Sequence, residues 1–347
     1  MSKTKRIILC AGGTGGHVFP AISIAKKLSS MGYDVCFSTD RRGVKYLGDY
    51  SKNSIVYNTI TSSRILLYIS LILNIMRGIF YLLFHERPLF IMGFGGYPSI
   101  PLVFAGQILG IKTIIHEQNA NLGKANRLLS KFAREVITSF YSISSNKKYI
   151  NIGNPTRYDG IYNNIMYNHT KKILIIGGSQ GASIMSDIIA DSICHLEDDL
   201  KREIFVYHQS RESDIENVMK KYDKSGIKYD VKSFFNNMDE IYQDVSIVIS
   251  RSGSSSIFEI IGFKRPSILI PYSKSINGDQ KFNAKFMEDR GYSIVFDENN
   301  INVKELSRSI SNLFQNSDKL FEISNKMKSV CKGNTTDRIV EEILKSL

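Results

Sequence analysis

The stretch Gly12-Gly13-Thr14-Gly15-Gly16-His17 decides the fold through the segments that flank it. It follows the apolar run 7–9 and precedes a segment, 19–28, whose apolar residues recur at helical spacing. A strand, a glycine-rich loop and a helix in this order place unpaired backbone N–H groups at the positive end of a helix dipole, where they bind anions. The sequence therefore predicts an α/β unit whose first loop binds an anion.

A second opening of the same kind stands in the second half of the chain, where the apolar run 172–176 leads into the glycine-containing loop 177–182. The first loop is not a dinucleotide fingerprint, because its third glycine position falls on Val18, and no Gly-Lys-Ser/Thr of a P-loop follows it. Two such openings predict two similar parallel-sheet halves.

The length of 347 residues suits two domains. The turn-rich segment 151–157 has the character of a linker, so we expect an N-terminal domain of residues 1–155 and a C-terminal domain of residues 156–334. A C-terminal helix near 335–347 is expected to pack back on the first domain. Four scattered cysteines without a C-x-x-C pair indicate reduced thiols, and the polar N-terminus is unlike a signal peptide.

The net charge is unevenly distributed. Residues 1–158 hold 20 Lys and Arg against 6 Asp and Glu, a net +14, while the remainder holds 25 against 27, a net −2. A basic half suits nucleic acid or an anionic bilayer, and the absence of a recognised nucleic-acid motif favours the bilayer.

The segment 65–84 is the most apolar window and is long enough to span a membrane. Polar residues recur along it at three- and four-residue steps and form one stripe on a helix: Ser70, Asn74, Arg77, Tyr81 and His85. We therefore expect a helix packed on the sheet, with some apolar surface left to touch lipid, rather than a spanning helix.

Three loops of the first half each follow an apolar strand: 12–17, 93–97 and 116–119. Parallel strands end at one edge of a sheet, so these loops are expected to converge on one ligand-binding rim. His17 would bring a titratable ring to this rim, although a histidine at a helix start can also simply bind the backbone.

In the second half, the serine-rich stretch 252–256 opens a helix that carries Glu259. Backbone N–H groups and hydroxyls at a helix start suit a diphosphate, and Glu259 is placed to accept hydrogen bonds from ribose hydroxyls. The alternative is capping serines and a solvated glutamate. We expect no catalytic metal, because the neighbours His116 and Glu117 would alternate on a strand and no Asp-x-Asp pair is present.

Read in chain order, these segments resemble the motif set of the MurG family, the bacterial GT-B glycosyltransferases that make lipid II. The motifs that carry the resemblance are 13–20, 95–97, 116–120, 153–157, 177–182, 250–253 with Glu259, and Gln280 with Asn283 and Ala284.

The resemblance implies two Rossmann-like parallel-sheet domains facing across a cleft. It implies inverting transfer of N-acetylglucosamine from UDP-N-acetylglucosamine to the C4 hydroxyl of the muramoyl sugar in undecaprenyl-diphosphate-linked lipid I, without a cofactor or a required metal. It also implies a peripheral enzyme on the cytoplasmic face of the bacterial inner (plasma) membrane, with no nucleic-acid partner.

Matched by motif, the resemblance also implies roles for individual residues. Donor binding falls to Arg157, Ser179, Ser252, Gly253, Ser254, Ser255, Ser256, Phe235 through its backbone, Glu259, Gln280 and Asn283. The transferred sugar and the acceptor diphosphate fall to Thr14, Gly15, Gly16 and Asn119. For the base that takes the proton of the incoming hydroxyl, His17 is the candidate and Glu117 the reserve.

The sequence departs from the family pattern at Ser254–Ser256, Asp279 and Phe235, which puts individual donor contacts in doubt. Other readings also stay open. These are a GT-B enzyme that glycosylates diacylglycerol, and a non-catalytic, membrane-bound nucleotide-sugar-binding subunit. A hydride-transfer enzyme is disfavoured by the missing fingerprint glycines and by an expected lack of an acidic residue after the second strand.

Overall fold

The computed structural model describes residues 5–58, 63–141, 146–162, 167, 170–177, 183–330 and 333–345. The chain forms two compact units, of which unit 1 contains residues 1–159 and 334–347 and unit 2 contains residues 160–333. Unit 1 therefore consists of two segments of the chain, and the sequence had placed the first division after residue 155.

Unit 1 is built on a parallel seven-stranded sheet with the order β3-β2-β1-β4-β5-β6-β7. Its strands are β1 (Arg6–Cys10), β2 (Asp34–Asp40), β3 (Ile55–Tyr57), β4 (Phe90–Gly93), β5 (Thr113–Glu117), β6 (Glu135–Thr138) and β7 (Tyr149–Asn151). Its helices are α1 (Gly15–Ser30), α2 (Arg41–Val44), α3 (Arg64–Phe84), α4 (Ile100–Ile108), α5 (Lys124–Leu129) and α14 (Thr335–Lys345), with short 3₁₀ turns at Gly48–Asn53 and Tyr97–Ser99.

The two faces of this sheet have separate apolar cores. On one face α1 packs with α14, so that Ile339 and Ile343 of the C-terminal helix join Ile24 and Leu28 in the core. On the other face α3, α4 and α5 cover the strands. The strands are buried on both faces, which is why their sequences read as nearly continuous apolar runs.

Unit 2 repeats the design with a parallel six-stranded sheet of order β10-β9-β8-β11-β12-β13. Its strands are β8 (Lys172–Ile176), β9 (Phe205–Gln209), β10 (Lys228–Lys232), β11 (Ile247–Ser250), β12 (Ser267–Leu269) and β13 (Ser293–Val295). Its helices are α6 (Ser183–Cys194), α7 (Asp198–Glu203), α8 (Ile215–Lys224), α9 (Met238–Asp244), α10 (Ser254–Phe263), α11 (Asp279–Asp289), α12 (Val303–Gln315) and α13 (Ser317–Lys328). The expectation of two Rossmann-like parallel-sheet halves is confirmed.

Two segments differ from the prediction. The polar sequence of residues 40–63 predicts irregular structure, but it contains α2, whose N-terminus is capped by the side chain of Asp40. The sequence after Pro271 predicts a polar loop that runs to residues 279–284, but Asp279–Asp289 form α11, whose buried residues Asn283, Ala284, Phe286 and Met287 include a polar one. A buried asparagine hides the apolar spacing that would have revealed the helix.

Helix α3 buries polar residues and exposes apolar ones, which is the reverse of an ordinary surface helix. Its polar residues Ser70 and Asn74 are buried, and Asn74 donates a 3.0 Å hydrogen bond to the carbonyl of Asn58. Near its end, Tyr81 accepts a 2.7 Å hydrogen bond from Arg6 of β1. The helix packs closely on α4 at Gly78, where an added Cβ would lie 3.2 Å from the Cβ of Ala105.

The outer surface of α3 is apolar and exposed. Its exposed apolar residues are Ile65, Leu66, Tyr68, Ile69, Ile72, Leu73, Met76, Phe80, Leu83 and Phe84. By length and composition the helix is apolar enough to cross a membrane, but its polar stripe hydrogen-bonds to the rest of unit 1. The expected helix packed on the sheet is present, and the exposed apolar surface is much larger than the sequence suggested.

Candidate functional site

In unit 1 the predicted convergence of three loops is confirmed. Strands β1, β4 and β5 are neighbours, and their ends lie side by side, with Cys10 paired to Gly93 and Gly93 to Ile115. The loops that follow are linked directly, because His17 and Gln118 hydrogen-bond to each other. The carboxyl edge of this sheet therefore gathers residues that are about a hundred positions apart in the chain.

The glycine loop 12–17 is held by Asp40 at the end of β2. The carboxylate of Asp40 accepts hydrogen bonds from the N–H groups of Gly13 at 2.8 Å and Gly43 at 2.9 Å, and from Arg42 at 2.9 Å. Burial raises the pKa of Asp40, but these hydrogen bonds outweigh it and hold the pKa below the ordinary value. An added Cβ on Gly12 would lie 2.8 Å from both Asp40 and Pro98, so the loop needs glycine at this close approach.

This packing leaves two donors of the loop unused. Helix α1 begins at Gly15, and Thr14 is its N-cap without a side-chain capping bond. Among the described residues, the N–H groups of Gly15 and Gly16 have no hydrogen-bond partner. Two free N–H groups and the exposed Thr14 hydroxyl thus stand at the positive end of α1, as an anion site requires.

His17 lies in the first turn of α1 with its ring half-buried. Its Nδ1 atom is 3.0 Å from Oε1 of Gln118. The ring lies against the turn of Gly95 and Gly96, two residues with φ of 91° and 73°. The ring is therefore held by the side chain of Gln118 and by the glycine turn, and not by the backbone of its own helix.

Glu117, the reserve candidate for the base, is buried, and both of its carboxylate oxygens are occupied. One accepts from the N–H of Asn119 at 2.9 Å, and the other accepts from the N–H of Gly123 at 3.0 Å and the amide of Asn126 at 2.9 Å. These bonds shape the loop that carries the predicted site residue Asn119. The geometry gives Glu117 a part in holding the loop.

The segment 153–157 is tied to the C-terminal helix through Asp159. Its carboxylate accepts from the N–H and hydroxyl of Thr156 at 3.2 and 3.0 Å, and from the N–H and hydroxyl of Thr336 at 2.8 and 2.6 Å. Burial raises the pKa of Asp159 above its ordinary value. Arg157, also in unit 1, is exposed beside this hydrogen-bond network. Its guanidinium lies 4.8 Å from the ring centre of Tyr158.

In unit 2 the structure brings together the predicted residues Ser252, Gln280 and Asn283. The Ser252 hydroxyl donates to the Gln280 carbonyl at 2.8 Å, and the Asn283 amide donates to the Ser252 carbonyl at 3.1 Å. Ser252 and Asn283 are fully buried, so their side chains fasten the serine loop to α11. Gln280 also accepts from the N–H of Tyr272 at 2.9 Å through its side chain.

The start of α10 has the form that the sequence predicted. Gly253 is its N-cap without a side-chain bond, and Ser254, Ser255 and Ser256 form the first turn. Glu259 is half-buried one turn further on, where its carboxylate accepts a 3.3 Å hydrogen bond from the hydroxyl of Tyr242.

Two further predicted residues have different outcomes. The side chain of Phe235 is buried, with its ring centre 6.1 Å from that of Tyr207, which leaves its backbone for any ligand contact. Ser179 lies outside the described residues.

Sequence reasoning missed Glu298, a residue that helps to join two loops of unit 2. It is buried and forms an ion pair with Arg251, while its other oxygen accepts a 2.7 Å bond from the N–H of Ser273. Burial raises the pKa of Glu298, but the bonds from Ser273 and Arg251 hold it below its ordinary value. Arg251 also donates a 3.0 Å bond to the carbonyl of Ile270, so this pair joins the serine loop to the loop after β12.

Asp40 was missed as well, and the expectation that no acidic residue follows the second strand is wrong. The signal was available, because Asp40 ends β2 just as His116 and Glu117 end β5, where the polar residues were noticed. Its carboxylate binds the glycine loop, however, rather than standing free for a ribose. Among the described residues, no group of three His, Cys, Asp or Glu side chains is placed to hold a metal ion.

Comparison with known proteins agrees with this architecture. Residues 7–138 match the N-terminal domain model of glycosyltransferase family 28, and residues 172–343 match its C-terminal domain model. The crystal structure of MurG from Acinetobacter baumannii matches with a TM-score of 0.83 and 24% identity over 98% of this chain and 99% of that one. The fold is therefore that of a GT-B glycosyltransferase, as the sequence predicted.

The chain is also similar, over nearly its whole length, to relatives named UDP-N-acetylglucosamine–N-acetylmuramyl-(pentapeptide) pyrophosphoryl-undecaprenol N-acetylglucosamine transferase. The one from Wolbachia sp. subsp. Drosophila simulans (strain wRi) is 34% identical over 97% of this chain and 98% of its own length. The one from Paramagnetospirillum magneticum (strain ATCC 700264 / AMB-1) is 33% identical over 99% and 98%. The chain belongs to this family, the MurG family of glycosyltransferases.

Proposed function

We propose that this chain transfers N-acetylglucosamine from UDP-N-acetylglucosamine to the C4 hydroxyl of the muramoyl sugar of undecaprenyl-diphosphate-linked lipid I, giving lipid II for peptidoglycan synthesis. The observation that carries the proposal is identity of 33–34% over nearly the full length to transferases named for this donor and acceptor. The sequence keeps its motifs in both halves, which supports an enzyme over a non-catalytic binding subunit.

The donor is bound by unit 2 in this proposal. The first-turn N–H groups of α10, which have no hydrogen-bond partner in the part of the chain that the structure describes, face the diphosphate, so that the helix dipole stabilises the charge that develops on the departing UDP. Glu259 binds the ribose, the backbone of Phe235 binds the uracil, and Gln280 binds the sugar. Support comes from the network of Ser252, Gln280 and Asn283, which fixes the serine loop before any ligand arrives.

The acceptor is bound by unit 1. The N–H groups of Gly15 and Gly16 bind its diphosphate, and His17 takes the proton of the C4 hydroxyl. The hydroxyl oxygen forms a bond to the anomeric carbon of the donor sugar, and the bond from that carbon to the phosphate oxygen breaks, with its electron pair leaving on UDP. A single displacement of this kind inverts the anomeric centre, and nothing in it requires a metal.

We also propose that unit 1 binds peripherally to the cytoplasmic face of the inner membrane through α3. Ten apolar residues of that helix are exposed, and unit 1 holds 22 Lys and Arg against 10 Asp and Glu, whereas unit 2 holds 23 of each. Apolar side chains beside a positively charged body suit an anionic bilayer surface that also contains the lipid acceptor.

The test is transfer of radiolabelled N-acetylglucosamine from its UDP donor to a lipid I analogue in the presence of EDTA. We expect labelled lipid II analogue under these conditions. Activity only with added magnesium would overturn the metal-free mechanism. Transfer to diacylglycerol instead would identify the other lipid glycosyltransferase, and donor binding without transfer to either lipid would support the binding subunit.

A further inference from the structure

A chain of three hydrogen bonds connects His17 to the backbone in the interior of unit 1. The Nδ1 atom of His17 lies 3.0 Å from Oε1 of Gln118, and Nε2 of Gln118 lies 3.0 Å from Nδ1 of His116. The Nε2 atom of His116 lies 3.2 Å from the carbonyl oxygen of Gly153. Gln118 and His116 are buried, so the two inner bonds of this chain are shielded from water.

The direction of every proton in this chain follows from its buried end. Burial lowers the pKa of His116 to about 4, so the ring is neutral at neutral pH and carries one N–H. The carbonyl of Gly153 can only accept, and therefore that proton is on Nε2 of His116. Nδ1 of His116 is then an acceptor and requires the NH₂ group of Gln118.

The orientation of Gln118 in turn fixes the proton on His17. Its NH₂ group also donates to the carbonyl of His116 at 3.2 Å, which agrees with the same orientation. The amide oxygen therefore points at Nδ1 of His17, and an oxygen without a hydrogen requires a donor there. His17 accordingly carries its proton on Nδ1, and its lone pair is on Nε2.

The surroundings of Nε2 leave it accessible. An added Cβ on Gly95 would lie 3.4 Å from Cε1 of His17, and one on Gly96 would lie 3.5 Å from Cδ2. These are the two ring carbons that flank Nε2. Because glycine has no side chain, the turn leaves this edge of the ring uncovered. Within the described ranges of the chain, Nε2 has no hydrogen-bond partner.

We propose that Gln118 and His116 are positioning residues that hold His17 in the Nδ1–H tautomer, so that Nε2 is the atom that accepts the proton of the substrate hydroxyl. This inference rests on the proposed function, in which His17 is the base. An unrestrained neutral histidine exchanges between two tautomers, and only one of them has a lone pair on Nε2. Unlike the aspartate of a Ser-His-Asp triad, the neutral amide orients the ring without adding a negative charge beside it.

The experiment combines nitrogen NMR with kinetics. The full-length protein, which has six histidines, is labelled with ¹⁵N-histidine, and the His17 signal is assigned by its loss in a His17→Gln variant. We expect the wild-type protein to show the Nδ1–H pattern for His17 at neutral pH. Gln118→Met, which keeps the size of the side chain and removes the amide, should lose that pattern and lower kcat at least 10-fold, with the KM for UDP-N-acetylglucosamine within 2-fold.

The matched control is Gln107→Met. Gln107 is a second glutamine of unit 1, bound to Thr113 and to the carbonyl of Leu129, and it has no link to His17. We expect this variant to keep both the Nδ1–H pattern and the wild-type kcat, which separates tautomer control from a general loss of packing.

The outcomes distinguish the inference from the proposed function. An Nε2–H pattern for His17 in the wild-type protein would overturn the inference without any variant having to fold. If wild-type protein transfers the sugar and Gln118→Met keeps full kcat, the inference is also wrong while the function stands. If His17→Gln keeps full activity, the base assignment itself is wrong, whichever tautomer is seen.

Discussion

The carboxylate of Asp40 accepts a hydrogen bond from the peptide N–H of Gly13 at 2.8 Å, across 27 residues of sequence. The same oxygen accepts from Gly43, so one side chain joins the glycine loop to the start of α2. The conformation that leaves the N–H groups of Gly15 and Gly16 free depends on this link. Its contribution can be measured.

We expect Asp40→Ala to lower kcat at least 10-fold, because two backbone donors lose their acceptor and the loop loses its fixed geometry. The KM for the donor should change little, since the proposed donor residues of the serine loop and α11 belong to unit 2. Steady-state kinetics with a lipid I analogue checks this. Asp49→Ala removes an exposed carboxylate of the same unit and should leave kcat at the wild-type value.

Substituting the proposed base gives a second test. His17→Ala should lower kcat by about 10²- to 10⁴-fold, the usual contribution of a general base, while the affinity for UDP-N-acetylglucosamine stays within 2-fold. Saturation kinetics and a donor titration separate the two quantities. His195→Ala, at an exposed histidine of unit 2, serves as the control. A large loss of donor affinity with normal saturated turnover would contradict the assignment.

Membrane binding should depend on the outer surface of α3. The triple substitution of Ile72, Met76 and Phe80 by Glu is expected to reduce co-sedimentation with vesicles containing phosphatidylglycerol at least 10-fold, because it places charges on an apolar surface that would enter the headgroup region. The fold should survive, since all three side chains are exposed.

The matched control places three glutamates on exposed apolar residues of unit 2, at Met219, Phe234 and Phe321. It changes the net charge by the same amount and should leave vesicle binding unchanged. Equal losses in the two triple variants would mean that overall charge, and not α3, determines binding.

The buried pair Arg251–Glu298 predicts a coupled effect on stability and donor binding. Glu298→Gln leaves the buried guanidinium without its counter-charge, which should lower the free energy of unfolding by about 3 kcal/mol. Because Glu298 also holds the loop after β12, the KM for the donor should rise several-fold. Urea unfolding and donor titration measure the two effects.

Glu322→Gln is the control for that variant. It removes an exposed i,i+4 partner of Lys326 on α13, and solvent screens such pairs, so neither quantity should change. A wild-type donor KM in Glu298→Gln would show that the loop keeps its shape without the pair.

Buried histidines predict how stability depends on pH. Burial lowers the pKa of His208 to about 3, well below the value of 6.5 for a free histidine. A depressed folded-state pKa contributes stability above the unfolded pKa, and this stability is lost as the pH falls toward the folded pKa. Between pH 7 and pH 5 this residue alone should remove about 2 kcal/mol of unfolding free energy.

Comparison with His208→Gln tests this. The variant lacks the titrating ring, so its urea-unfolding free energy should fall about 2 kcal/mol less than that of the wild type over the same pH range. Equal falls in the two proteins would show that His208 does not titrate between the folded and unfolded states in this way.

Much of the architecture could be predicted from local sequence, because parallel strands buried on both faces give apolar runs that end at glycine or serine loops. The runs 7–9 and 172–176, which lie in β1 and β8, were recognised for this reason. Short elements such as β6 and β13 were not, since three or four residues carry too little pattern. Helix α11 was missed because its buried side includes Asn283.

The candidate site was predictable by residue type and less so by role. The rim of unit 1 followed from strand order, but the pairing of His17 with Gln118 joins positions 101 residues apart and leaves no local signal. Glu117 was the reserve candidate for the base, whereas its bonds to Asn119, Gly123 and Asn126 give it a part in loop structure. Such assignments depend on distances that only the folded chain supplies.

The hydrogen-bond network around Asp159 has a consequence for biosynthesis. Thr336, its partner at the start of α14, is made by the ribosome only after all of unit 2. Until then the core of unit 1 lacks Ile339, Val340 and Ile343, and the face of α1 that they cover is bare. Unit 2, a single continuous segment, can complete its core first, so the half of the protein that is translated first is the last to be finished.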